Sequence, residues 1–166
     1  MRNQALFEEY QARHLPGAID AIRTLIETCR DGERGYTCAA EHACDEWLRR
    51  LFWEYAHQRA SFGAALETEL LALGGRVEPH PTIAGWIHRK WLDVRSAIDP
   101  GSALAMLLEC ERGENAARVM YERALSVPLP ADVQNLLLEQ LGEIHDAHDK
   151  LDRMRGGSLT LTSTSI

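Results

Sequence analysis

The feature of this sequence that most restricts its fold is a set of long stretches in which apolar residues recur every three or four positions. Such spacing puts the apolar side chains on one face of an α-helix. No segment alternates polar and apolar residues for long enough to form a strand, and six prolines with a few glycine clusters divide the helical stretches. The sequence therefore predicts an all-α protein.

Capping and stop signals set the predicted helix ends. Asp45 is a good N-cap for the second long helix, and Gly74-Gly75 is a good stop for it. Pro16-Gly17 is expected to end a short N-terminal helix before the first long one begins. The predicted helices are a short one at 4–14 and four long ones at 18–43, 46–73, 100–126 and 131–154.

The connections predict how these helices are arranged. The first pair and the last pair are joined by short segments, so each pair should be antiparallel. About 26 residues separate the second helix from the third, enough for an extended stretch and an extra helix at 82–98 to return along the bundle. The second and third helices should then run parallel. We expect an all-α, ferritin-like four-helix bundle with a long crossover that contains this extra helix.

Length and composition fit one such domain. The chain has 166 residues, of which 45% are hydrophobic and 26% charged, as in ordinary globular proteins. We expect an N-terminal extension or short helix at 1–17, the bundle at 18–155 and a disordered tail at 156–166.

Charge and hydropathy narrow the classes of partner. A net charge of -7 without a Lys/Arg-rich block argues against nucleic-acid binding. The chain starts without an apolar run of signal-peptide length and has no stretch long enough to span a bilayer, so we expect a cytoplasmic protein without membrane insertion. An exposed Trp53 or Trp91 would mark a homodimer face, and the sequence identifies no other protein partner.

A short pattern occurs twice. CRDGERGY, which begins at Cys29, and CERGENAA, which begins 81 residues later at Cys110, both contain Cys-x-x-Gly-Glu. A glycine inside a helix costs about 1 kcal/mol relative to alanine, so close helix approach at Gly32 and Gly113 is expected. The repeat indicates two equivalent halves, each of which contributes one glutamate to the bundle centre.

Ionisable residues interrupt the apolar faces of all four long helices near their middles. Because an unpaired buried charge costs several kcal/mol, these side chains should meet one another, a metal ion or water. The residues are Glu33, Arg59, Glu114 and His148, with His145 one turn before His148.

A ferritin-like di-iron site takes a Glu from each of two helices and Glu-x-x-His from each of the other two. Glu33 and Glu114 match the single glutamates, and His148 matches one histidine, with His145 in place of its Glu. The remaining pair is Arg59-x-x-Phe62, which supplies neither ligand.

Three hypotheses follow for this layer. In the first, Arg59 bridges Glu33 and Glu114 in a metal-free buried charge network. In the second, Glu33, Glu114, His148 and His145 bind a single metal ion, which would be iron, manganese or zinc. In the third, an intact di-iron centre remains.

Several motifs in order resemble a bacterial four-helix-bundle family of unknown function within the ferritin-like superfamily, over residues 19–152. They are LIETCRDGERGY, EYAHQRASFGAALETELLALGG, the segment with Trp86 and Trp91, LLECERGENAARVMYERAL and EIHDAHDKL. The resemblance implies a ferritin-like fold, distantly similar to rubrerythrin and bacterioferritin, and no established activity; a role in stress or envelope maintenance is an analogy with that family.

No Ser/His/Asp arrangement, phosphate loop or dinucleotide fingerprint occurs in the sequence. An enzyme hypothesis therefore depends on the Glu/His layer alone. We expect a non-catalytic structural or stress-related protein with a degenerate di-metal site and no cofactor. The alternative is a mononuclear or dinuclear metal-binding redox protein that uses Glu33, Glu114, His145 and His148.

Overall fold

The computed structural model describes the backbone of residues 2–77 and 103–162 and the side chains of residues 14–77 and 103–156. Within these ranges the chain is all-helical and contains no strand. This confirms the predicted all-α class and four long helices. The helices are α1 (Arg2–His42), α2 (Glu46–Ala72), α3 (Ala103–Leu125) and α4 (Ala131–Thr162).

The ends of α2 follow the predicted signals. The Asp45 carboxylate accepts hydrogen bonds from the backbone N–H groups of Trp47 and Leu48, which satisfies two donors of the first turn. The helix ends at Ala72, and Gly74 adopts a positive φ of 78°, which glycine tolerates without strain.

The N-terminal prediction is wrong, because α1 continues through Pro16 instead of beginning after Gly17. Proline removes one helical hydrogen bond and clashes with the preceding turn, at a cost of about 3 kcal/mol. Good helix formers on both sides, such as Ala18, Ala21 and Leu25 after the proline, can offset that cost by extending one helix.

The helix α4 also extends beyond its predicted end at Met154 and includes residues 155–162. A pair of glycines weakens a helix without terminating it by itself. The side chain of Arg155 lies 3.1 Å from the carboxylate of Glu111, so α4 contacts α3 just after the predicted end. Residues 163–166 lie outside the described ranges, and the division into extension, bundle and tail stays a prediction.

Contacts between helices define their directions. Cys29 on α1 contacts Tyr121 on α3, whereas Tyr36, seven residues further along α1, contacts Glu114, seven residues earlier on α3. The helices α1 and α3 are therefore antiparallel. Arg30 pairs with Glu67 on α2, whereas Tyr36, which comes later in α1, packs on Tyr55, which comes earlier in α2. The helices α1 and α2 are therefore antiparallel too.

Since α2 and α3 both oppose α1, they run parallel to each other, as the length of the crossover predicted. The predicted extra helix at 82–98, with Trp86 and Trp91, and the start of the third helix at Asp99-Pro100 lie outside the described residues.

The core consists of two apolar clusters along the bundle. The cluster near the α1–α2 connection includes Leu51, Phe52, Leu107 and Leu151, and the cluster at the other end includes Ile22, Leu66, Leu137 and Ile144. A buried polar layer lies between them. On α2, Ala56 belongs to one cluster and Phe62 to the other, with Arg59 in between; Glu114 lies likewise between Cys110 and Ala117 on α3.

None of the described helices is long and apolar enough to cross a membrane.

Candidate functional site

A buried ion pair occupies the centre of the polar layer. Nη2 of Arg59 lies 2.5 Å from Oε2 of Glu114, and each side chain is only 2% exposed. A charge-assisted hydrogen bond of this kind is stronger than a neutral one, and neither partner could be buried alone without a large desolvation cost. The ion pair joins α2 to α3 across the bundle.

The other oxygen of the same carboxylate is also bound. The hydroxyl of Tyr36 on α1 donates a hydrogen bond of 2.5 Å to Oε1 of Glu114. Three helices therefore meet at one carboxylate. Burial opposes the charge of Arg59, but the neighbouring Glu114 and Tyr36 outweigh it and raise the pKa of the guanidinium, so Arg59 stays charged.

Gly32 makes room for the side chain of Arg59. A Cβ placed on Gly32 would lie 3.2 Å from both Cγ and Cδ of Arg59, which is closer than side chains normally pack. The expected close approach is therefore real at Gly32, although the approaching group is a side chain. At Gly113, where the same was expected, a Cβ would meet nothing within 4 Å, and that expectation is wrong.

A second polar chain connects all four helices beside the ion pair. Tyr121 donates to Oε1 of Gln140 at 2.7 Å, and Nε2 of Gln140 donates to the backbone oxygen of Phe62 at 3.4 Å. Sγ of Cys29 lies 3.3 Å from the Tyr121 hydroxyl. Because the single proton of that hydroxyl goes to Gln140, the Cys29 thiol is the donor to Tyr121.

Sequence reasoning did not assign Tyr36, Tyr121 or Gln140 to the site. The available signal was the position of both tyrosines on predicted core faces, where a hydroxyl needs a partner. Gln140 lies one turn after the core residue Leu137 and could have been found in the same way.

The other predicted site residues do not join the ion pair. Glu33 is half-buried, and among the described residues the ion pair of Arg59 includes Glu114 and not Glu33. His145 is exposed, and Nδ1 of the half-buried His148 lies 3.3 Å from Asp149 on its own helix. The charge network therefore contains two of its three predicted members.

As placed, these side chains do not fit a metal centre. Within the ranges that the structure describes, no group of three or more His, Cys, Asp or Glu side chains could hold a metal ion. Both oxygens of Glu114 are bound by Tyr36 and Arg59, and a metal at that carboxylate would meet the guanidinium charge. The predicted ligand set of Glu33, Glu114, His145 and His148 stays a prediction that no contact supports.

The chain matches the family described as Domain of unknown function (DUF2383) over residues 17–126, about two thirds of its length. It belongs to the DUF2383 family. The matched range contains both Cys-x-x-Gly-Glu repeats and the three residues of the ion-pair site, Tyr36, Arg59 and Glu114, whereas His145 and His148 lie beyond it. No curated protein matches the sequence.

The thiols and phenols around the ion pair of this DUF2383 protein are held in their neutral forms. Burial raises the pKa of Cys29 and, to a greater extent, that of Cys110, which Glu114 raises further. Burial and the Glu114 charge raise the pKa of Tyr36 well above its ordinary value and that of Tyr55 to about 12. These groups remain protonated at neutral pH.

The four cysteines thus differ in setting. Cys29 and Cys110 are buried, whereas Cys38 is half-buried and Cys44 is exposed. Cys29, Cys44 and Cys110 are free thiols.

A cavity of about 400 Å³ extends from the surface to the ion pair between α1 and α3. We call it the α1–α3 cavity. Its walls include the exposed Gly113 and the buried Arg59 and Glu114. Both repeat cysteines, Cys29 and Cys110, line it as well.

Apolar side chains are also exposed on the outer face of α2. Trp47 is 49% exposed and Trp53 38%. Trp53 is exposed, as the predicted homodimer face requires. The homodimer itself stays a prediction.

Proposed function

We propose that this DUF2383 protein is a metal-independent, non-catalytic bundle of the ferritin-like type. In this proposal the guanidinium of Arg59 holds the central position that metal ions take in ferritin-like di-iron proteins. The observation that carries the proposal is the buried contact of 2.5 Å between Arg59 and Glu114.

The charge balance of the centre supports it. A di-metal centre neutralises its carboxylates with bound cations, which can dissociate, whereas Arg59 supplies a positive charge that is covalently attached and always protonated. Tyr36 completes the hydrogen bonding of Glu114. Such a centre joins three helices without depending on the supply of a metal.

The raised pKa values of the thiols and phenols near the ion pair support the non-catalytic part of the proposal. A general acid or base works best with a pKa near the working pH, and a nucleophilic cysteine needs a lowered pKa. Around this centre the pKa values of Cys29, Cys110 and Tyr36 all move upward, away from neutrality. The stress-related or structural role and the cytoplasmic location stay predictions from the sequence.

Metal analysis tests the proposal. Protein purified without chelator and then loaded with iron, manganese and zinc is expected to retain less than about 0.1 metal per chain, because a preformed site would otherwise hold its ion. One metal per chain that is lost in both Glu114→Gln and His148→Ala would contradict the proposal and support the redox alternative.

A double variant provides the positive control. Arg59→Glu with Phe62→His restores the Glu-x-x-His pair on α2, with both side chains three residues apart on one helix face. This variant is expected to gain iron binding. If it stays helical and binds no iron, the equivalence between α2 and its di-iron counterpart is wrong.

A further inference from the structure

The α1–α3 cavity has the size of a small-molecule site. Its volume of about 400 Å³ falls in the range of ligand pockets, which are mostly apolar with a few placed polar groups. Gly35 and Gly113 line the cavity, and a Cβ added at either position would have no atom within 4 Å. Ala117, Met120 and Ile144 supply apolar wall.

One polar atom of the buried Arg59 has no partner. Nη2 binds Glu114, but Nη1 is buried and has no hydrogen-bond partner among the described residues. Arg59 lines the cavity, and only 2% of it is exposed to solvent. A buried donor without an acceptor is unfavourable, so an acceptor that enters the cavity would gain a hydrogen bond to a charged group.

The charges in and around the cavity restrict what this acceptor can be. Arg59 and Glu114 neutralise each other at the inner end. An anion would be repelled by Glu114, and a cation would be repelled by Arg59. At the outer end Arg112 pairs with Glu109 at 3.2 Å, and Arg34 lies 3.6 Å from Asp31. An uncharged acceptor avoids both repulsions.

We propose that the α1–α3 cavity binds a small, mainly apolar molecule that presents an uncharged carbonyl oxygen to Nη1 of Arg59. Binding is non-covalent, because the Cys29 and Cys110 thiols in the cavity are protonated and act as small apolar groups. This inference is independent of the proposed absence of a metal, since it needs only the cavity and the free donor.

Two probes of nearly equal shape test the acceptor. Acetophenone carries the carbonyl, and ethylbenzene lacks it. In a titration followed by NMR, acetophenone is expected to shift the amide signals of Gly32, Gly35 and Gly113 with a dissociation constant of about 1 mM or lower. It should bind at least about tenfold more tightly than ethylbenzene, because a hydrogen bond to a charged donor favours the carbonyl compound. Equal affinity would contradict the role of Arg59, and no shift with either probe would overturn the proposal.

A matched pair of glycine variants tests the location. Gly113→Leu should fill the cavity and weaken acetophenone binding at least about tenfold, whereas Gly142→Leu should leave it unchanged. Both glycines are exposed, lie within helices and have nothing within 4 Å of a Cβ, but only Gly113 lines the cavity. Undiminished binding in Gly113→Leu would place the probe elsewhere. If Gly113→Leu instead changes the oligomeric state of the probe-free protein, the cavity is an interface between copies and the small-molecule proposal is wrong.

Discussion

In α1, the pattern Cys-x-x-Gly-Glu places Gly32 against the side chain of Arg59 and leaves Glu33 half-buried. In α3, the same pattern leaves Gly113 with open space beside it and buries Glu114 to 2% exposure. Only the cysteines have equivalent settings, because Cys29 and Cys110 are both buried. Two similar sequences on antiparallel helices thus have different packing at two of their three shared positions.

Charge explains the difference between the two glutamates. One buried guanidinium can neutralise one buried carboxylate, and a second carboxylate in the same buried polar layer would need a cation of its own. Arg59 neutralises Glu114, so Glu33 has to keep contact with water. The glycines differ for a related reason, since Arg59 reaches Glu114 past Gly32 and not past Gly113.

The largest expected effect comes from removing Arg59. Arg59→Met leaves the Glu114 charge buried and unpaired, so the free energy of unfolding should fall by about 3–5 kcal/mol. Urea denaturation measures this loss. The double variant Arg59→Met with Glu114→Met should recover most of it, because a buried ion pair can often be replaced by apolar side chains.

Arg112→Met is the control for the loss of an arginine. Arg112 is 73% exposed and also pairs with a glutamate, yet the change should stay within about 0.5 kcal/mol. A similar loss in both single variants would mean that burial does not distinguish the two ion pairs.

Stability should fall at high pH because of the phenols around Glu114. The folded-state pKa values of Tyr36 and Tyr55 lie above the ordinary value of about 10, so folding favours their neutral forms. Their contribution is complete below about pH 10. It is lost as the pH rises towards the folded-state pKa, which is about 12 for Tyr55.

Each such tyrosine should lower the free energy of unfolding by about 1.4 kcal/mol per pH unit in this window. Urea midpoints at pH 8 and pH 11 measure the fall, and Tyr36→Phe should make it shallower. Absorbance titration of the folded protein gives a direct check. If Tyr36 and Tyr55 titrate near pH 10, the effect of burial and of the Glu114 charge on the two phenols is wrong.

The smallest expected changes in stability come from replacing the two repeat glycines with alanine, and they should differ between the two positions. Gly113→Ala should raise the free energy of unfolding by about 0.5–1 kcal/mol, because alanine favours the helix and its Cβ enters open space. Gly32→Ala should gain less or lose stability, since its Cβ comes within 3.2 Å of Arg59. Thermal or urea denaturation of both variants measures the difference. Equal gains would show that Arg59 does not depend on the space at Gly32.

Sequence reasoning succeeds where the decisive interaction is local. Asp45 caps the backbone of its own helix, and Gly74 takes a backbone conformation that suits glycine, so both ends of α2 could be predicted. The pairing of Arg59 with Glu114 was also predictable, because opposite charges on two core faces must find each other.

The exclusion of Glu33 could not be predicted, because Glu33 and Glu114 occupy equivalent positions in two copies of the same Cys-x-x-Gly-Glu pattern. Their difference comes from the single side chain of Arg59, which is distant in sequence and lies on a third helix. The continuity of α1 through Pro16 could not be predicted for a related reason. The sequence around Pro16 shows the local cost of a proline in a helix, but not the stability that the rest of the helix contributes.

The most direct test makes the same substitution in both repeats. Glu114→Gln and Glu33→Gln each remove one charge with almost no change in shape. Glu114→Gln is expected to lower the free energy of unfolding by about 3 kcal/mol or more, because it leaves Arg59 charged and buried, whereas Glu33→Gln should change it by less than about 0.5 kcal/mol. Losses of equal size in the two variants, measured by urea denaturation at pH 7, would contradict the central role of the Arg59–Glu114 ion pair.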